Sequence, residues 1–129
     1  MCRVSKNSSR NINQIKEHYP LLAELEEKSG PIFTTLITAL ELYRGAHLSK
    51  DPEKNLEIVR KVLAALMILP LNDEAGVVFG ALSARLRSEG RKIGDFNEVI
   101  AAIALACDQE IVTRDEHFRE VAGLRVTGW

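Results

Sequence analysis

An α/β fold built on a parallel or mostly parallel sheet is predicted by three features of this sequence. Short β-branched or apolar runs, at Ile32–Ile37, Met67–Leu69, Glu110–Thr113 and Leu124–Val126, alternate with helical stretches. The intervening stretches repeat apolar residues three and four apart, as at Leu56, Val59, Leu63 and Leu66. Finally, Lys92–Asp115 (KIGDFNEVIAAIALACDQEIVTRD) combines a helix opened by an acid with a strand ended by one. In a parallel sheet such groups can meet at one sheet edge, where ligands of open α/β folds sit.

The chain has 129 residues, which suits one domain with one core. An apolar fraction of 46% with 27% charged residues describes a globular protein rather than a disordered one. The formal net charge of −1 provides no global basic field for nucleic acid, so any such binding has to be local or metal-assisted. Cys2 and Cys107 lie far apart and form no metal spacing, which fits two reduced thiols. The longest apolar run, Val62–Leu71, is too short to span a bilayer, and the N-terminus lacks a signal-peptide core. A cytoplasmic protein that does not enter a membrane is expected.

Residues 1–17 are polar, rich in Asn and Ser, and read as a poorly ordered arm ahead of a single domain at 18–129. His18–Lys28 is a helical stretch with Leu21, Leu22 and Leu25 on one side, stopped by Ser29-Gly30-Pro31. Ile32–Ile37 reads as a buried strand and Thr38–Tyr43 as a helix that Gly45 would break. Asp51-Pro52 is a helix start, a capping side chain followed by proline at the first helical position. Pro70 ends the Met67–Leu69 strand, and Asn72 or Asp73 caps a helix whose face is Ala75, Val78, Phe79, Leu82 and Leu86. Gly76, Gly80 and Ala84 form a small-residue ridge on that helix. Each helical glycine costs about 1 kcal/mol against alanine, so the ridge points to close packing, within the domain or across a dimer. In the next helix Val99, Ile100, Ile103 and Ala104 make the apolar face, and Ala101 and Ala102 admit a close neighbour. A short helix around His117-Phe118-Arg119 and a last strand close the chain.

Three acids stand at element junctions: Glu41 after the first strand, Asp95 at a helix start and Asp115 at a strand end. Carboxylates gathered at one edge repel, and a hard divalent cation bound through oxygen relieves this. Such an ion can activate water for attack on a phosphodiester. Each acid also has a bland role: Glu41 as a solvated helix residue, Asp95 with Glu98 as a capping box, Asp115 as the cap of the helix at Glu116. Arg85, Arg87, Arg91 and Lys92 form the one basic concentration, either a helix end complementing the macrodipole or a phosphate-contacting lip. His117 reads as a partly exposed helix residue.

Three stretches, Thr35–Leu42 (TLITALEL), Ile93–Leu105 (IGDFNEVIAAIAL) and Ile111–Phe118 (IVTRDEHF) running on to Gly123–Trp129 (GLRVTGW), resemble the PIN domain and within it the VapC-type toxins. The resemblance runs from Ile32 to Trp129. It implies a three-layer α/β/α sandwich around a short, mostly parallel sheet. It also implies Mg²⁺- or Mn²⁺-dependent endoribonuclease activity, a cognate antitoxin peptide as partner, and a homodimer. Glu41 matches the family's second acid and Asp115 its fourth, with Thr38 and Thr113 matching hydroxyl residues that line the site. Asn97 stands where the third acid is expected, with Asp95 two residues upstream. The first acid and its strand have no match, since no Asp occurs before Asp51. A strand encoded upstream or in another frame, a decayed gene, or a non-catalytic partner protein would each account for that. The catalytic set implied is Glu41, Asp95, Asn97, Thr113 and Asp115, with Glu41, Asp95 and Asp115 on the metal. Thr38, Arg85, Arg87, Arg91 and Arg114 would face the RNA. The alternative is an impaired PIN-like domain that binds RNA or antitoxin without cutting.

Overall fold

A computed structural model describes residues 2–3, 27 and 32–128. Among the described residues five short strands form one sheet in the order β3-β2-β1-β4-β5: β1 Cys2–Arg3, β2 Ile32–Thr35, β3 Met67–Leu69, β4 Glu110–Val112 and β5 Val126–Thr127. Strand β3 runs parallel to β2 and β5 parallel to β4, while β1 is antiparallel to both of its neighbours. Four strands therefore share one direction, and the expected mostly parallel sheet is observed. At the sheet centre Cys2 pairs with Phe33 and Ile111, and Arg3 with Ile32 and Glu110. The central strand is thus a reversed two-residue segment whose sequence carries no acid. Beyond residue 3 the expected arm, and the His18–Lys28 helix apart from helical, exposed Glu27, lie outside the described residues.

Helix α1 spans Leu36–Leu48, beginning two residues earlier than expected and passing Gly45 without a break. Thr35, ending β2, caps it: its Oγ1 accepts the Thr38 N–H at 3.0 Å. The hydroxyl cap ends the strand at Thr35, so Leu36 and Ile37 join the helix instead of the strand. Helix α2, Pro52–Ala65, is capped by Asp51 as predicted, and α3, Asp73–Ser88, by Asn72, whose Oδ1 accepts the Ala75 N–H at 3.0 Å. Helix α4 covers Asp95–Ala106. A 3₁₀ helix at Glu116–Glu120 follows β4. No helix among the described residues is long and apolar enough to cross a membrane.

Helix α1 packs on α2, and α3 on α4. The core collects Leu82 and Leu86 of α3, Ile100–Ala104 of α4, Ile111 of β4 and Phe118 of the 3₁₀ helix. Within it Ala101, Ala102, Ile103 and Ala104 expose no surface at all. Gly76 and Gly80, by contrast, have open space where a Cβ would stand, so their ridge is not buried within the chain.

The capping box expected of Asp95 and Glu98 is not formed. Gly94 occupies the N-cap with no side-chain bond, Asp95 is the first helical residue, and Glu98 is buried at 2% exposure. Gly94 holds φ 97° and ψ 143°, backbone that side-chain-bearing residues rarely adopt. Gly94→Ala is therefore expected to cost about 1–3 kcal/mol, read as a lower urea midpoint at unchanged m-value.

Candidate active site

Glu41 projects from the second turn of α1, one turn beyond Thr38. Thr113 and Asp115 follow the C-terminal end of β4, and Asn97 sits in the first turn of α4. These elements bring Thr38, Glu41, Asn97, Thr113 and Asp115 onto one cavity of about 190 Å³, floored by Ile100, Ile111 and Phe118. Five residues singled out from the sequence thus meet across three elements. Glu41 also walls a second cavity of about 250 Å³ between α1 and α2.

Asp115 is the best-connected group. Its Oδ1 accepts the His117 backbone N–H at 2.9 Å, with the His117 ring Nδ1 at 2.7 Å. Its Oδ2 accepts from Asn97 Nδ2 at 3.3 Å. Asn97 Nδ2 also donates to the Ile93 carbonyl at 2.9 Å, so one amide ties Asp115 to the loop before α4. The Asp115 backbone N–H donates to Thr113 Oγ1 at 3.0 Å. The His117 backbone N–H is the largest influence holding the Asp115 carboxyl below its ordinary value. Partial burial pushes the other way, and the His117 ring and Asn97 amide add to the lowering. Asp115 therefore caps the 3₁₀ helix, its bland role, and lines the cavity as well.

The other expected residues lie elsewhere. Asp95 is exposed at the helix start and does not line the cavity, its charge instead favouring the α4 N-terminus. Arg85 and Arg91 line a different cavity, of about 580 Å³, with Val78, Leu82 and Leu105. Both are engaged by Glu89, and Arg91 also pairs with Glu120 at 3.4 Å. Arg87 and Arg114 are exposed and line neither. The basic concentration and the acidic cavity are thus separate features. His117 is, as expected, an exposed residue of a short helix and does not line the cavity, but it bonds Asp115, which does. The signal was Asp-x-His at the start of a short helix, where the aspartate bonds the backbone two residues on.

Among the described residues no three His, Cys, Asp or Glu side chains cluster as a ready metal site. The cavity nonetheless offers two carboxylates and two hydroxyls, all hard oxygen donors. Mg²⁺ is commonly held by only one or two carboxylates while keeping several waters, so the donor set suits a hydrated ion of this kind. Both Asp115 oxygens already accept protein bonds, but a carboxylate has further lone-pair sites.

Comparison with known proteins gives the family. The chain matches the PIN domain over residues 12–124. It belongs to the PIN domain family, in the VapC toxin branch. It is 31% identical over 110 residues to Ribonuclease VapC2 of Haemophilus influenzae, covering 84% of this chain and 83% of the relative. It is 32% identical over 101 residues to the tRNA(fMet)-specific endonuclease VapC of Shigella flexneri, covering 78% and 76%. Its fold superposes on VapBC2 of Rickettsia felis, bound to a promoter DNA fragment, with a TM-score of 0.78, 28% identity and coverage of 92% and 90%.

The lowered Asp115 pKa fixes a pH dependence for this PIN domain. A carboxylate held below its ordinary value, near 3.8, contributes stability above that value and loses it as pH falls through the folded one. Asp115→Asn is expected to be less stable than the parent at pH values above the ordinary carboxylate value near 3.8, the difference shrinking as pH falls below it, in urea titrations across that range.

Proposed function

We propose that this chain hydrolyses RNA phosphodiesters as a Mg²⁺- or Mn²⁺-dependent endoribonuclease of the VapC toxin type. The observation that carries this reading is the convergence of Glu41 and Asp115, from separate segments, on one cavity. The relatives named as a ribonuclease and a tRNA-specific endonuclease support the substrate class. A cognate antitoxin peptide is the proposed partner, supported by the VapBC complexes with the same fold. A cytoplasmic homodimer is proposed as well, to which the open Gly76–Gly80 ridge and the 68% exposed Val77 beside it give an apolar surface.

In this reading Glu41 and Asp115 hold the cation. When bound, it supplies a polarised water and offsets the charge developing at phosphorus. Asn97 orients the Asp115 carboxylate through Oδ2, and Thr113 fixes its backbone. His117, with its ring Nδ1 2.7 Å from the other oxygen, is placed to exchange a proton with Asp115. Thr38, whose Oγ1 shares a 3.1 Å hydrogen bond with Thr35 Oγ1, presents a polar wall to substrate.

Two observations favour a second reading, an impaired domain that binds RNA or antitoxin without cutting. Asn97 supplies an amide where a third carboxylate is expected, and the central strand Cys2–Arg3 contributes no acid. Each missing charge weakens a divalent site.

Manganese-dependent cleavage of RNA separates the two. The enzyme reading expects cleavage that falls about 100-fold or more in Glu41→Gln and in Asp115→Asn. No cleavage by the parent selects the second, and cleavage that ignores both substitutions overturns the first. Asn97→Asp tests the cation itself. Without divalent ions the variant loses both Asn97 donor bonds and sets like charges together, costing about 1–3 kcal/mol. Added Mn²⁺ should then raise its thermal midpoint more than the parent's.

A further inference from the structure

An exposed pair that the proposed chemistry does not use joins α1 to α4, the two helices that carry Glu41 and Asn97. Phe96, the residue before Asn97, is 41% exposed at the N-terminal turn of α4. The Arg44 guanidinium carbon lies 5.6 Å from its ring centroid. Arg44 is three residues beyond Glu41 on α1, so it occupies the neighbouring position on the same side of that helix. Each member of the pair thus adjoins a residue lining the acidic cavity, one from each helix. Arg44 is exposed and forms no ion pair with a described carboxylate.

Exposing a phenylalanine ring to water is unfavourable, and a cation–π contact at an exposed site offsets only about 0.5–1 kcal/mol. The arrangement nevertheless matches what single-stranded RNA requires: an aromatic face for a base, with a cation beside it for the adjoining phosphate. We propose that Phe96 and Arg44 form a stacking platform for an unpaired base next to the scissile phosphodiester. The proposal rests on the ribonuclease reading and narrows its substrate class to RNA that can present a splayed base, a loop or single strand rather than an intact duplex. Phe96 stacks on the base, and Arg44 braces the ring and meets the backbone. Both are positioning residues, since neither touches the reacting atoms.

The test is equilibrium binding of a short single-stranded RNA carrying a fluorescent purine analogue, with divalent ions chelated and the RNA checked to be uncut. A matched strand with abasic sites serves as control. Phe96→Ala should weaken binding of the base-bearing strand about tenfold and leave the abasic strand unaffected, while Phe96→Trp retains or tightens it. Arg44→Ala should weaken both strands. Circular dichroism and thermal midpoints should match the parent, because both side chains are exposed. If the parent binds RNA and Phe96→Ala binds equally well, the platform is overturned while the ribonuclease reading stands, and this face passes to a protein partner. Equal weakening on base-bearing and abasic strands by Phe96→Ala also overturns it. A parent that neither binds nor cleaves RNA overturns the ribonuclease reading and the platform together.

Discussion

Helix α4 is locked by burial over Ala101–Ala104, where no side chain reaches solvent, and the site takes its geometry from that fact. Small residues at 101, 102 and 104 let neighbouring elements approach closely, so the helix can neither rotate nor slide without opening voids or creating clashes. Its ends are tied as well. The Gln109 N–H donates to the Ala104 carbonyl at 2.8 Å, leading directly into β4. At the other end Asn97 Nδ2 donates to the Ile93 carbonyl at 2.9 Å, holding the first turn to the loop before it. The direction in which Asn97 leaves the helix, and the point where β4 delivers Asp115, follow from one packed element. The resulting cavity is a property of scaffold elements more than of loops, which keeps the side chains preorganised.

Asp115 shows how one residue serves stability and chemistry at once. It caps a short helix through Oδ1 and closes on Asn97 through Oδ2, and it still faces the cavity. Its negative charge is offset by oriented donors, so the arrangement persists without requiring an ion. A third carboxylate at position 97 would remove that independence, since two like charges at this distance need a cation between them. Replacing acid by amide therefore exchanges charge for self-sufficiency.

Much of this was legible in the sequence, for identifiable reasons. Helix phase marked α2 through α4, the Asp51 carboxylate and the Asn72 amide marked the starts of α2 and α3, and Asp115 stood where a strand meets a helix, while Glu41, expected just past a strand, lies in the second turn of α1. Three things were not legible. The end of β2 was hidden because Leu36 and Ile37 are as apolar as a strand, and only the Thr35–Thr38 cap shows the helix beginning there. The reversed β1 could not be read from two residues, too few to carry any periodicity. The arginines were misleading by proximity in sequence. Arg85 and Arg91 precede the site by a few residues, yet α3 and its following turn hold them to Glu89 and Glu120 at another cavity.

The stretch Asp95-Phe96-Asn97-Glu98 shows why composition near a site does not measure charge within it. Two of its four residues are acidic, but successive helical positions point about 100° apart. Asp95 is therefore in solvent, Asn97 reaches the cavity, and Glu98 is buried, its Oε2 without a hydrogen-bond partner among the described residues. A buried carboxylate oxygen left unpaired costs free energy that packing elsewhere has to offset. Bringing either acid into the cavity would require α4 to turn by roughly a quarter to a half of a revolution. Four fully buried residues one turn further along forbid that rotation. Neither Asp95 nor Glu98 can then stand in for a carboxylate at 97, and the charge in the cavity is set by Glu41 and Asp115.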